Sequence, residues 1–269
     1  MRDDDFDLIA DILKKRSGLT LTREKVYLLE TRLLPVARQF GFDTLELLIQ
    51  AIRKQPNEAM LVEITEAMTT NESSFFRDIK PFEQFRRTVL PRLIEDAKDK
   101  RSVRIWSSAC STGQEPYSLA MSLMEEAGKM IGWDYEIIAT DISRKVLEKA
   151  EKGEYTQFEV QRGLPIQMLV KYFTQSGESW RLNSSVRARV RFQYLNLLED
   201  FNNLGRFDII FCRNVLIYFD APTKTKVLER LTRSLQPKGF LFLGSAETIL
   251  GLTDKLKPVD GERGIFQPA

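Results

Sequence analysis

The feature that most constrains the fold is an alternation that begins near residue 103. Apolar runs of strand length at 104–109, 136–142, 190–196, 207–214 and 239–244 alternate with stretches of helical period at 115–127, 143–152 and 223–235. Near-continuous apolar strands are covered on both faces, and strands separated by helices pair in parallel. The expectation is an α/β domain with a mostly parallel sheet. Two short tail segments, 254–259 and 264–268, suit an antiparallel hairpin at a sheet edge. The region 154–195 breaks the alternation. A helix-like piece at 166–173 precedes Ser176-Gly177-Glu178-Ser179, and strand-like pieces follow at 180–183 and 186–192. This reads as an inserted antiparallel unit.

Upstream of the alternation the apolar residues follow only helical spacing. They run Phe6, Ile9, Ile12, Leu13; Val26, Leu29, Leu33, Val36; Leu45, Leu48, Ile49, Ile52; and Leu61, Ile64, Met68. Gly18, Gly41 and Pro56 separate the four stretches, as helix breakers do. The expected division is a small all-α N-terminal domain over 1–78, a charged helical linker over 79–100, and an α/β domain over 101–269 with a β insertion at about 154–195.

Composition removes several function classes. The 269 residues carry a formal net charge of +2 and no histidine. Near-balance disfavours a broadly basic nucleic-acid surface. Without histidine there is no Ser-His-Asp triad, no common zinc set and no side chain that ordinarily titrates near neutrality. No apolar run reaches the ~18 residues of a membrane span. The start, Met1-Arg-Asp-Asp-Asp-Phe6, lacks a signal-peptide pattern. Cys110 and Cys212 are expected as free thiols. Together these point to the cytoplasm, with no membrane insertion and no nucleic-acid partner.

In open α/β sheets ligands sit beyond the carboxyl ends of the strands. After the first strand comes Ser107-Ser108-Ala109-Cys110-Ser111-Thr112-Gly113-Gln114-Glu115-Pro116. Its small residues let a ligand approach, but it is not the G-x-G-x-x-G of a dinucleotide cradle. The same residues also suit a plain strand-to-helix turn. Asp141 ends the second strand, where an acid can bind ribose hydroxyls. It could instead cap the next helix, unless Ser143 caps and leaves Asp141 free. Asn196 after the third strand suits an adenine edge or an Asx turn. Arg213-Asn214 abruptly ends the buried fourth run. Before the sheet, 68–77 joins a polar cluster, two phenylalanines and Arg77, and could close over a cofactor.

These segments together resemble the CheR family of chemoreceptor glutamate methyltransferases. The resemblance rests on 68–77 (Met-Thr-Thr-Asn-Glu-Ser-Ser-Phe-Phe-Arg), 106–118 (Trp-Ser-Ser-Ala-Cys-Ser-Thr-Gly-Gln-Glu-Pro-Tyr-Ser), 139–142 (Ala-Thr-Asp-Ile), 196–198 (Asn-Leu-Leu) and 211–220 (Phe-Cys-Arg-Asn-Val-Leu-Ile-Tyr-Phe-Asp). It implies a Rossmann-like class I methyltransferase domain behind the helical domain, with S-adenosylmethionine as cofactor, S-adenosylhomocysteine as product and no metal. It implies cofactor contacts at Asn71, Ser73 (often Thr in the family), Arg77, Glu115, Asp141, Asn196, Leu197, Arg213 and Asn214. Arg77 and Tyr218 match positions near the transferred methyl. The implied substrate is the cytoplasmic helical bundle of chemoreceptors, met by basic residues of the N-terminal domain. Arg32, Arg38 and Arg53 are the candidates, with Lys25 and Lys54 nearby. Some family members also tether a receptor's C-terminal peptide through the inserted unit. The short turn at 175–179 points to no such tether here. The rival readings are a methyltransferase for RNA or a small molecule, and a non-catalytic module that binds S-adenosylmethionine.

Overall fold

The computed structural model describes residues 2–269. They divide into two compact units, one of residues up to Thr70 with Tyr218–Lys224, the other of Asn71–Ile217 with Thr225–Ala269.

The first unit is a bundle of α1 (Asp3–Ser17), α2 (Val26–Gln39), α3 (Leu45–Lys54) and α4 (Glu58–Met68). α1 has three aspartates in its first turn and Lys14, Lys15 and Arg16 in its last, matching the helix dipole. It ends at Gly18, whose φ of 77° is the left-handed cap glycine adopts readily. Thr44 caps α3, accepting from the Leu47 N–H, and Asn57 caps α4, accepting from the Ala59 N–H. The stripes read from the sequence form one core, in which Phe6, Ile9, Leu13, Leu29, Leu33, Leu48, Ile49, Ile52, Ile64 and Met68 are buried.

The second unit begins with a helical rod. α5 (Lys80–Gln84) and α6 (Leu90–Asp96) are joined by a π turn, Phe85–Val89. The Leu90 N–H reaches back to the Phe85 carbonyl, and Pro91, next along, has no N–H to continue an α pattern. The main sheet then builds from β1 (Ser102–Ser107), α7 (Gln114–Glu125), β2 (Asp134–Asp141) and α8 (Arg144–Lys152). A side sheet follows: β3 (Glu154–Thr156), α9 (Gln157–Gln161), α10 (Ile166–Tyr172), β4 (Phe173–Ser176) and β5 (Ser179–Leu182), its strands ordered β3-β5-β4 and antiparallel. The chain returns through α11 (Ser184–Arg187), β6 (Val190–Tyr194), β7 (Phe207–Cys212), α12 (Ala221–Arg233), β8 (Leu235–Leu243), β9 (Leu256–Pro258) and β10 (Ile265–Pro268).

The main sheet has the order β6-β2-β1-β7-β8-β10-β9. Its first five strands are parallel and β10 is antiparallel to both neighbours. The tail is therefore the edge hairpin expected, with its second strand inserted beside β8. One strand assignment needs correction. The piece at 186–192 is not part of the antiparallel insertion: Val186 lies in α11, and Val190–Tyr194 pair in parallel with β2. A short edge strand and a short hairpin strand share the same alternation, so only pairing separates them.

The order also locates the crevice. The chain lays β2 and β6 on one side of β1, then crosses to β7 on the other. The strand order reverses between β1 and β7, where ligands of open α/β sheets sit. All six residues of β7 are buried, and Phe211 stacks on Phe242 at 4.2 Å beneath the crevice.

Candidate active site

The loop after β1 is shaped by the backbone. Ser111 has φ 50° and Gly113 φ 93°. A Cβ at Gly113 would lie 3.0 Å from the Ala150 Cβ and 3.1 Å from the Tyr155 hydroxyl, so both conformation and space demand glycine. The Ser111 N–H donates to Asp141 Oδ2 at 2.9 Å, and the Ser111 hydroxyl donates to the Asn71 carbonyl at 2.7 Å. One serine thus joins three segments that the sequence singled out.

Asp141 is not left free by its neighbour. Its Oδ1 accepts from the Ser143 N–H at 3.0 Å, and Ser143, at the N-cap of α8, makes no side-chain capping bond to that helix. The two N–H donors fix the carboxylate's direction at the end of β2. Asn196 makes the Asx turn, its Oδ1 accepting from the Leu198 N–H at 3.0 Å. Arg230 on α12 holds the same loop by donating to the carbonyls of Leu197 and Leu198 at 3.2 and 2.5 Å.

Arg213 is the electrostatic centre. Its side chain is 1% exposed. Nη1 donates to Glu115 Oε2 at 2.9 Å; Nη2 donates to Asp78 Oδ2 at 2.7 Å and to the Arg77 carbonyl at 3.0 Å. Glu115 is held on its other oxygen by the Ser107 hydroxyl at 2.8 Å. Glu115 is thus more than a favourable charge at the start of α7. The Arg213 Nε is buried with no acceptor among the described residues. A buried donor without a partner costs roughly 1–3 kcal/mol and marks a place where a ligand acceptor is welcome.

Backbone strain falls in the same place. The described non-glycine residues with positive φ are Phe76, Asp78, Ile79, Arg101, Ser111 and Asn214. All but Arg101 lie in the three loops that carry candidate residues. Each costs on the order of 1–3 kcal/mol, and such strain persists where function requires it. Arg77 sits inside the most strained segment, its Nη1 donating to the Glu72 carbonyl at 2.8 Å.

Asn71, Ser73, Arg77, Glu115, Asp141, Asn196, Leu197, Arg213 and Asn214 all belong to the second unit, on its strand-end loops or on 71–79. Tyr218 belongs to the first unit, where its carbonyl accepts from the Thr20 N–H at 2.9 Å. The basic candidates of the first unit differ in what they already hold. Arg32 donates to the carbonyls of Met68 and Thr69 and to the Thr70 hydroxyl, closing the end of α4. Arg53 donates to the Asp4 carbonyl and pairs with Asp5 at 2.8 Å. Arg38 is exposed in the last turn of α2.

Sequence reasoning missed Asp78, Arg230 and Glu247. Glu247 accepts backbone N–H bonds from Asn214, Val215, Leu216 and Gly244. The strand-end rule, carried one strand further to Gly244-Ser245-Ala246-Glu247, would have found it.

A reversing parallel sheet, an oriented acid ending β2 and a small-residue loop without a phosphate cradle define a Rossmann-like fold of the class I methyltransferase kind. The comparisons agree. Residues 71–265 match the CheR methyltransferase SAM-binding domain, and residues 4–69 match the CheR all-alpha domain. The chain is 40% identical to a chemotaxis protein methyltransferase, Cher2, of Pseudomonas putida, covering 98% of each. It is 41% identical to chemotaxis protein methyltransferase 1 of Pseudomonas aeruginosa, covering 98% of this chain and 97% of that one. Among solved structures, PKMT2 of Rickettsia typhi with AdoHcy is 16% identical, covers 65% of this chain and 26% of that one, and gives a TM-score of 0.39, too slight a likeness to bear on function. The chain belongs to the CheR methyltransferase family. It carries out S-adenosylmethionine-dependent methylation in chemotaxis.

Proposed function

We propose that the acceptor is the side-chain carboxylate of glutamates on the cytoplasmic helical bundle of chemoreceptors, giving methyl esters and S-adenosylhomocysteine. The observation that carries the reading is that the chain has no histidine and that the acids identified at the site already hold Arg213 or backbone N–H groups. Burial also holds the thiols of Cys110 and Cys212 well above their ordinary range. An acceptor that arrives ionised suits such a site. A glutamate, with an ordinary pKa of about 4.3, is ionised at neutral pH.

The residues fit the cofactor. S-adenosylmethionine, when bound, supplies a methyl on a positively charged sulfur that departs neutral, so no general acid is required. Asp78, Glu115 and Asp141 set three negative charges against Arg77 and Arg213, an excess suited to a ligand with one net positive charge. The unpartnered Arg213 Nε offers a donor to a ligand carboxylate. Asp141, held at the end of β2, is the residue for the ribose hydroxyls, and Asn196 and Leu197 are those for the adenine. Asn71, Ser73 and Asn214 complete the contacts. The family resemblance assigns Arg77 and Tyr218 to orienting the cofactor and the incoming carboxylate, and positioning of this kind can contribute roughly 7–11 kcal/mol.

Receptor contact falls first to Arg38, whose charge is exposed, with Arg32 and Arg53 beside the bundle ends they brace. The β4–β5 turn is only Gly177-Glu178, which supports recognition without a C-terminal peptide tether. Calorimetric titration with receptor tail peptides is expected to give no heat, and tight binding would contradict it.

A pH profile tests the acceptor. Turnover on receptor substrate is expected to be level from about pH 6 to 8, falling only as the acceptor carboxylate protonates nearer its ordinary pKa of about 4.3. A rate that rises through neutrality would mean a base is being used and would overturn the reading.

A further inference from the structure

We propose that Glu247 is a positioning residue, a carboxylate clamp that sets the Arg213-Asn214 strand end for cofactor binding. The inference rests on the assignment of this crevice as the cofactor site. Glu247 lies outside every motif that carried that assignment.

The geometry is specific. Glu247 Oε2 accepts from the Gly244 N–H at 2.6 Å and the Asn214 N–H at 3.0 Å. Oε1 accepts from the Val215 N–H at 2.9 Å and the Leu216 N–H at 2.7 Å. One side chain thus satisfies three consecutive N–H groups after β7 and one after β8. Successive N–H groups around a left-handed residue form a concavity that attracts an anion. Here Asn214, with φ 59°, is that residue, and the chain supplies its own anion.

Three observations separate this from ordinary packing. Glu247 is only partly buried and belongs to no apolar cluster, so its removal opens no core cavity. The clamped residues directly follow Arg213, whose guanidinium holds Glu115 and Asp78. The approach is also reserved by a missing side chain. A Cβ at Gly244 would come within 2.8 Å of Glu247 Oε2 and 3.0 Å of the Asn214 N.

Glu247→Gln keeps the shape but offers a donor where two N–H groups need an acceptor. A filler role is rescued by glutamine; an acceptor role is not. The probe is S-adenosylhomocysteine affinity measured by calorimetry on the full chain, with thermal melts run alongside. It reports on the clamp whatever the methyl acceptor proves to be. E247Q is expected to weaken binding at least tenfold at a temperature where its circular dichroism is native, and G244A to do the same. Affinity in E247Q within twofold of wild type would overturn the proposal. So would a lowered melting temperature with unchanged affinity of the folded fraction.

Discussion

Arg213 shows how one side chain can hold a site together. With 1% of its side chain exposed, it lies between Glu115, itself 12% exposed, and Asp78. Breaking a buried pair leaves an uncompensated charge, at a cost of about 3–5 kcal/mol. Arg213→Ala is expected to destabilise the second unit by that amount in urea denaturation, and to abolish S-adenosylhomocysteine binding. A loss under about 1 kcal/mol would contradict the burial argument. Arg77→Ala and Tyr218→Phe act differently, because neither removes a buried pair. Both are expected to fold normally and turn over at least tenfold more slowly, and near-normal turnover in both would remove their assigned role. At this scale the sequence marked Glu115, Asp141, Asn196 and Arg213-Asn214 by their place, and each lies at a strand's carboxyl end or in the loop or first helical turn after it. It was opaque for Asp78, whose partner Arg213 lies 135 residues along the chain. Glu247 was legible only by position, one strand further on, because the backbone N–H groups it holds are groups every residue has.

At the scale of elements, boundaries followed physical punctuation. Strands with uninterrupted apolar runs were readable to within about two residues. β8 was half hidden, because Pro237-Lys238-Gly239 interrupts it. The register shift between Phe207 and Ile209 absorbs that interruption, so the pairing continues as Ile209↔Phe240. The segment Tyr218–Lys224 is the other case. It follows β7 in sequence yet packs with the helical bundle. Asp220 anchors it, accepting from the Thr223 N–H at the start of α12 and pairing with Lys14 at 2.8 Å. The Lys14 ammonium, then Thr223, hold its carboxyl well below the usual carboxylate range. A depressed folded-state pKa gives stability that is present above the unfolded value, about 3.9, and lost as pH falls toward the folded one. Wild type should therefore lose urea stability as pH drops from about 4 to 2, and Lys14→Ala should lose less over that window. Parallel pH slopes for the two proteins would contradict the anchor.

At the scale of the whole molecule, two units bring different chemistry. No helix among the described residues is long and apolar enough to cross a membrane. The α/β unit carries the residues proposed for the cofactor, and the helical unit carries the exposed Arg38 cation and the Tyr218 segment. Arg38→Glu is expected to raise KM for receptor at least fivefold and to leave S-adenosylhomocysteine affinity unchanged. An unchanged KM would move receptor contact elsewhere. Fold class and the helical bundle were written in the periodicity, since burial imposes it on any sequence. The acceptor was not, because the chain only positions it. The most direct test is transfer of labelled methyl from S-adenosylmethionine to receptor-containing membranes, followed by mild alkali. The expected result is label on the receptor, released as volatile methanol, as a glutamate ester requires. Label that survives alkali, or that appears on nucleic acid while the receptor stays unlabelled, would contradict carboxylate methylation.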